Sequence, residues 1–300
     1  MTNLFFSIII PTYNRCEMVM KCVLSLQSQS FKNWECIIVN DGSTDNTQQE
    51  IEKLCQTDSR ITLLNQQNSE RAIARNNGAK LAKGDFYIFL DSDDFFENNH
   101  LQELYNHIKI DKEKNDMYFT NGIILKGDSK NIIVNQEIPK PMPIDYFLKN
   151  SVIPARVCLH HSIFSDFQFD PRTIVVEDTV LWTEILENKK IKYLPLIGVT
   201  YQLHEDNSVN IQKNNAYLQR LNGLKVLFYS KNVGKKISTK VKRKHLNRCY
   251  YGIADFFDLQ KNRKKAIIWI VKSVLFFPEI DLKFKLARLL FLLKFVNNKV

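Results

Sequence analysis

The chain has 300 residues, 44% hydrophobic and 25% charged, a globular composition long enough to bury a sizeable core. Its formal charge of +10 is uneven: residues 231–300 hold 18 Lys or Arg against 4 Asp or Glu, which leaves a net −4 over residues 1–230. An acidic body with a basic tail and no recognised nucleic-acid module argues against nucleic-acid binding.

The N-terminus, MTNLFFSIII, has no basic n-region and its apolar run stops at Pro11, so nothing in it reads as a signal peptide. From residue 7 to residue 93, β-rich apolar runs alternate with helical patterns: SIIIPTY, a helix near residues 17–29, CIIVND, a helix near 45–55, ITLLN, a helix near 70–82, then FYIFLDSD. This βαβαβαβ order predicts right-handed crossovers and a mostly parallel sheet covered on both faces, an α/β fold. Such sheets bind ligands beyond the carboxyl ends of their strands. There the chain places Thr12 and Tyr13, Asn40 and Asp41, Asn65, and Asp91 to Asp94.

Residues 95–210 mix a helix over about 97–114, strands such as MYFTNGIIL, the Pro-punctuated IPKPMPIDYF, and a helix opening at Glu177 and Asp178. They predict a mixed extension of the sheet that covers the ligand and receives an acceptor. From about Gln212 the sequence reads as helical and basic, without internal repeats. The predicted division is a catalytic domain over 1–211, with a nucleotide-binding half (1–94) and an acceptor half (95–211), followed by a basic helical region over 212–300. The stretches 266–277 and 282–296 fall short of the roughly 20 apolar residues of a membrane span. Lys272, Lys283, Lys285, Arg288 and Lys294 interrupt them. The six cysteines (16, 22, 36, 55, 158 and 249) form no C-x-x-C pair and mostly fit buried faces, which predicts reduced core thiols in a cytosolic protein.

The most informative feature is LDSDD at 90–94, a carboxylate cluster ending an apolar strand. Adjacent carboxylates repel unless a cation or protonation relieves them, and hard oxygen ligands select Mg²⁺ or Mn²⁺. A solvated turn or helix cap is the structural alternative; a phosphatase-type aspartyl nucleophile lacks the nearby Thr it wants. NDGSTDNT at 40–47 makes a tight turn through Gly42 into a helix. At its strand end Asp41 can accept the N3–H of uracil, a donor that adenine and cytosine lack. Arg75, on the helix between the third and fourth strands, can stack on a base, bind a phosphate, or form a surface ion pair.

Together SIIIPTYNR (7–15), VNDGSTDNT (39–47), ARNNGAKLAKGDFYIFLDSDD (74–94), the pair Glu177-Asp178 and HEDNS (204–208) resemble the inverting family 2 glycosyltransferases. The resemblance covers about residues 5–210. It implies the nucleotide-diphospho-sugar transferase (GT-A) fold and a UDP-sugar donor. It further implies that Thr12, Tyr13, Asp41 and Arg75 line a uridine pocket and that Asp91 lies by the ribose, with Pro11 and Ser92 in the same donor-binding set. Asp93 would hold Mn²⁺ or Mg²⁺ against the diphosphate, His204 would close over the metal, and Ser208 would bond the diphosphate. Glu177 would touch the donor sugar, and Asp178 would be the general base. Many members have a Gly about five residues before the matching Arg; Glu70 stands there in this chain, which leaves the start of that helix open.

Chemistry supports these roles independently. Glycosyl transfer builds positive charge at the anomeric carbon and negative charge on the departing diphosphate, so a site needs a cation at one and a base at the acceptor hydroxyl. Helix capping is the alternative for Glu177-Asp178. A sugar nucleotidyltransferase is disfavoured, because PTYNRCE stands where its Gly-rich basic loop belongs; a nucleotide-binding scaffold without turnover is the remaining rival. The expected acceptor is a lipid-linked or envelope glycan. The basic tail, with segments such as LKFKLARLLFLLKF, predicts peripheral binding to an anionic membrane surface. A helical subdomain or a homo-oligomeric contact is its other reading.

Overall fold

Four apolar runs become the parallel half of one sheet: β1 (Phe6–Thr12), β2 (Trp34–Asn40), β3 (Ile61–Asn65) and β4 (Phe86–Phe89). The computed structural model describes residues 4–133, 138–204, 216–277, 279 and 281–297. β1 is buried along its whole length and pairs in parallel with β2 and β4, while β2 pairs with β3. A strand covered on both faces needs an unbroken apolar run, which is why FSIIIPT does not alternate. The short β5 (Phe95–Phe96), β6 (Met117–Lys126), β7 (Ser129–Ile133), β8 (Val157–His160) and β9 (Ile191–Leu203) extend the sheet. The strand order is β3-β2-β1-β4-β8-β6-β9-β5, with β7 paired to β6. β8 runs antiparallel to β4 and β6, and β9 parallel to β6. The expected mixed α/β sheet is therefore the observed one.

Two apolar layers enclose this sheet. Ile8 and Ile10 pack with α1 (Cys16–Gln27), α2 (Thr47–Thr57) and α4 (His100–Ile110). On the opposite face Ile9 packs with α3 (Glu70–Leu81), α5 (Tyr146–Lys149) and α6 (Glu177–Asn188), with Trp182 fully buried. The close fit of α3 depends on Gly78, where a Cβ would stand 2.5 Å from Ile9 Cγ2 and 2.9 Å from Val39 Cγ2. The bounds of α4 differ from expectation, and the start of α3, left open by the sequence, is now placed. α4 begins at His100, not near 97, because Phe95 and Phe96 pair with Thr200 and Val199 a hundred residues on. The open start of α3 falls at Glu70 with φ of +71°, left-handed backbone that favours glycine.

The chain divides into two compact units, Met1–Pro171 with Leu181–His204, and Arg172–Val180 with Glu205–Val300. The second contains the first turn of α6 together with α7 (Ala216–Phe228), α8 (Val233–Lys236), α9 (Thr239–Leu259), α10 (Arg263–Phe276) and α11 (Leu282–Asn297). Ala254, Ala266, Ile270 and Leu292 form the shared core of α9, α10 and α11. Ser238 and Asn262 cap α9 and α10 by accepting from the main-chain N–H of Val241 and Lys265. Cys22, Cys36, Cys158 and Cys249 are buried thiols, whereas Cys16 and Cys55 are half-buried.

Candidate active site

Register brings the strand ends together. Thr12 pairs with Asn40, Ile9 with Phe89, and the main-chain N–H of Asp41 donates to Thr12 O at 2.9 Å. Pro11 is tolerated inside β1 because its missing N–H falls on the β4 side, where pairing ends at Ile9 and Phe89. The loop after β1 is then pinned to the loop after β2. Asn14, at φ +50°, donates its main-chain N–H to Ser43 Oγ (3.0 Å), and its Oδ1 accepts from Thr44 N (2.7 Å). Gly42, at φ +79°, brings the backbone so near Asn68 N that a Cβ would lie 2.8 Å from it.

Asp41 is buried at this junction. Its Oδ1 accepts from Gln66 Nε2 (2.7 Å) and Ser69 N (2.8 Å), and among the described residues its Oδ2 takes no hydrogen bond. Thr12 is also buried, and its hydroxyl has no partner among the described residues. Tyr13 is exposed and Ser92 buried. A buried hydroxyl and a carboxylate oxygen with hydrogen-bonding capacity to spare, at the carboxyl edge of a parallel sheet, can meet the donors of a ligand.

The loop after β4 carries the charge. The Arg75 guanidinium, 1% exposed, pairs through Nη2 with Asp91 Oδ1 and lies over the Phe169 ring, 5.1 Å from its centroid. Burial pushes the Asp91 carboxyl up, but the positive charges of Arg75, Arg71 and Arg15 prevail and hold it below the usual carboxylate range. Asp94 goes the other way: burial first, and then the neighbouring Asp91 and Asp93, drive its pKa well up. It ties this loop to β9 by accepting from Gln202 N at 3.3 Å. Asp93 Oδ2 meets two nitrogens, Arg15 Nη1 at 2.7 Å and His204 Nε2 at 2.8 Å. Asp93 and His204 are 111 residues apart in the chain.

Thr12, Asp41, Arg75, Asp91, Ser92, Asp93 and His204 all belong to the first unit. Glu177 and Asp178 form the first turn of α6 in the second. Glu177 is buried, and Asp178 Oδ1 accepts from Thr179 N. Ser208 lies outside the described residues. Sequence reasoning gave no role to Arg15 or Asp94. Both stood in quoted motifs at strand ends, the one available signal, but their partners are distant in sequence. Among the described residues no group of three or more His, Cys, Asp or Glu side chains is placed to hold a metal.

Residues 7–163, just over half of the chain, match the profile of Glycosyl transferase family 2. The Escherichia coli UDP-Glc:alpha-D-GlcNAc-diphosphoundecaprenol beta-1,3-glucosyltransferase WfgD is 31% identical over 193 residues, covering 64% of this chain and 73% of that protein. The chain spans only 14% and 15% of the length of two larger relatives that it matches at 42% and 36% identity. Among solved structures, S. aureus TarS 1-349 in complex with UDP-GlcNAc superposes with a TM-score of 0.64 at 20% identity, over 92% of this chain and 82% of that one. A mannosyltransferase from Pyrobaculum calidifontis in complex with GDP-Man and Mn²⁺ gives 0.60 at 12% identity, over 91% and 76%.

Proposed function

The chain belongs to glycosyl transferase family 2, and we propose that it moves a sugar from a UDP-linked donor to a hydroxyl of a carbohydrate acceptor, inverting the anomeric carbon. The observation that carries this reading is the carboxyl edge of the sheet, where Asp41, the Arg75–Asp91 pair and the Asp93–His204 pair meet in one unit. Asp41 accepts the uracil N3–H at Oδ2, Thr12 adds its hydroxyl, and Tyr13 and Arg75 complete the uridine pocket, with Pro11, Asp91 and Ser92 in the same set and Ser208 assigned to the diphosphate. Asp93 and His204 suit a hard cation that takes its remaining ligands from phosphate and water, as Mg²⁺ commonly does. When bound, such an ion supplies positive charge where the leaving diphosphate becomes negative.

Asp178 takes the proton of the acceptor hydroxyl. The freed oxygen bonds to the anomeric carbon as the bond to the UDP oxygen breaks, and Glu177 orients the donor sugar. Because no enzyme nucleophile intervenes, a single displacement inverts the configuration. Two similar proteins support a nucleotide-sugar donor: WfgD is named for UDP-Glc, and TarS was solved with UDP-GlcNAc. One experiment tests donor and base together, namely transfer from a panel of UDP-sugars by wild type and Asp178→Asn, with UDP and Mn²⁺ binding followed by thermal shift. Transfer should fall by roughly 10²–10⁴-fold in the variant while UDP still raises the melting temperature. Equal transfer by the two proteins removes Asp178 as base, and a wild-type shift with CDP, whose base lacks the N3–H donor, but not with UDP removes the Asp41 pocket.

The acceptor assigned here is a lipid-linked or envelope glycan, met at the inner face of a cytoplasmic membrane. WfgD is named for a diphosphoundecaprenol-linked acceptor. In the second unit, α10 and α11 expose Leu275, Phe276, Phe284 and Leu290 and also Lys264, Lys265, Lys272 and Lys283, and each basic side chain near anionic lipid contributes ~1 kcal/mol. Among the described residues no helix is long and apolar enough to cross a membrane, so such binding is peripheral. The protein should float with anionic vesicles at low salt and lose most of that binding as Phe284→Glu/Leu290→Glu; wild type left in solution would sink the membrane assignment.

A further inference from the structure

Arg15 and His204 both address one oxygen, Asp93 Oδ2, at 2.7 and 2.8 Å. The Asp93 side chain is 8% exposed and that of Arg15 27%. Three carboxylates within four residues need compensation. Asp91 has Arg75, and Arg15 stands at Asp93. A guanidinium on Asp93 Oδ2 repels a divalent cation and takes up one of the lone pairs through which the carboxylate would bind it, so the two compete for Asp93.

We propose that Arg15 is a displaceable counter-cation of the metal carboxylate. Without donor it neutralises Asp93; when a nucleoside diphosphate enters, it transfers to the phosphate oxygens and leaves Asp93 to the metal. The inference rests on the reading of Asp93 as the metal carboxylate. The backbone at Arg15 is anchored: Asn14 bonds Ser43 and Thr44, and Arg15 O accepts from Val19 N at 2.9 Å to open α1. The exchange is therefore a rotation of one long side chain. Its planar fork suits diphosphate oxygens as well as a carboxylate. Diphosphate and metal then assist each other through Arg15 beyond the direct bond between them, and by linkage the assistance is mutual.

The test separates the two ligands. Mn²⁺ alone is titrated by electron paramagnetic resonance, and UDP alone, in EDTA, by calorimetry, with wild type, Arg15→Gln and Arg15→Lys. Arg15→Gln should bind Mn²⁺ alone at least about fivefold tighter and UDP alone at least about fivefold more weakly, the low end of site–site coupling; Arg15→Lys should stay nearer wild type in both. A merely structural arginine would not tighten metal binding. Unchanged or weaker Mn²⁺ binding by a folded Arg15→Gln protein overturns the proposal. Asp93→Asn keeps the failures distinct: if Mn²⁺ still binds that variant, the reading of Asp93 has failed, whereas loss there without a gain in Arg15→Gln fails the counter-cation alone. Should Arg15→Gln not fold, the Arg15 Nε–H resonance of wild type carries the test, since it must shift with UDP in EDTA, and no shift refutes the exchange.

Discussion

Each unit of the chain buries a long basic side chain at 1% exposure, Arg75 in the first and Lys285 in the second, and the two are satisfied in opposite ways. Arg75 faces the carboxylate of Asp91, which is itself 26% exposed at the ligand edge of the sheet. Lys285 donates to the carbonyls of Ser273 and Phe277, at 3.1 and 2.7 Å, and so closes the C-terminal end of α10. Carbonyls at a helix terminus carry partial negative charge, and although Ser273 O also accepts from Phe277 N at 3.1 Å, an ammonium at this end is a cap. A buried cation whose partner is still open to ligand can belong to a site. One saturated by main chain belongs to the fold.

The strongest break of this comparison is Arg75→Met. It leaves Asp91 without its principal counter-charge and should cost about 3 kcal/mol in urea unfolding, the low end for a broken buried pair because Asp91 reaches water. It should also abolish the UDP-induced rise in melting temperature. Adding Asp91→Asn should recover part of the stability but not the UDP response. If Arg75→Met binds UDP like wild type, Arg75 is as structural as Lys285. Lys285→Met should come next, losing about 1.5–3 kcal/mol with two charge-assisted hydrogen bonds while the UDP-induced shift persists. A lost UDP response there would erase the distinction between the two cations.

What the sequence revealed follows the range of the interactions. The continuous apolar strands β1, β2 and β4 and the polar residues at their ends were legible because strand burial and strand termination are local. The start of α4 was placed three residues early because the pairing of Phe95 and Phe96 with Thr200 and Val199 of β9, which holds the chain extended just before it, is not local. Glu70 could be flagged as an odd residue, but its positive φ came only with the structure. Asp93 and His204 were matched to a family pattern from their neighbours, yet Arg15, 78 positions before Asp93, was invisible as its partner because nothing local distinguishes it from a solvent-exposed loop arginine. The basic tail showed its charge in composition. Its last helix, with Lys285 inside alongside Leu292 and with Phe284 and Leu290 outside, could not be read from a run that mixes lysines, phenylalanines and leucines.

The smallest effect probes the same distinction with a neutral group. The Thr12 hydroxyl is buried without a partner among the described residues, and a group left so carries an unrecovered desolvation cost. Thr12→Val keeps the shape and removes that cost, so unfolding stability should stay level or rise by up to about 1 kcal/mol. If the hydroxyl is reserved for the donor, UDP affinity should drop by roughly fivefold in the same variant, the equivalent of about 1 kcal/mol. Opposite signs for stability and binding mark a polar group held for a ligand. A variant that loses stability and keeps its UDP affinity would place Thr12 with Lys285 instead, as a group the fold itself uses.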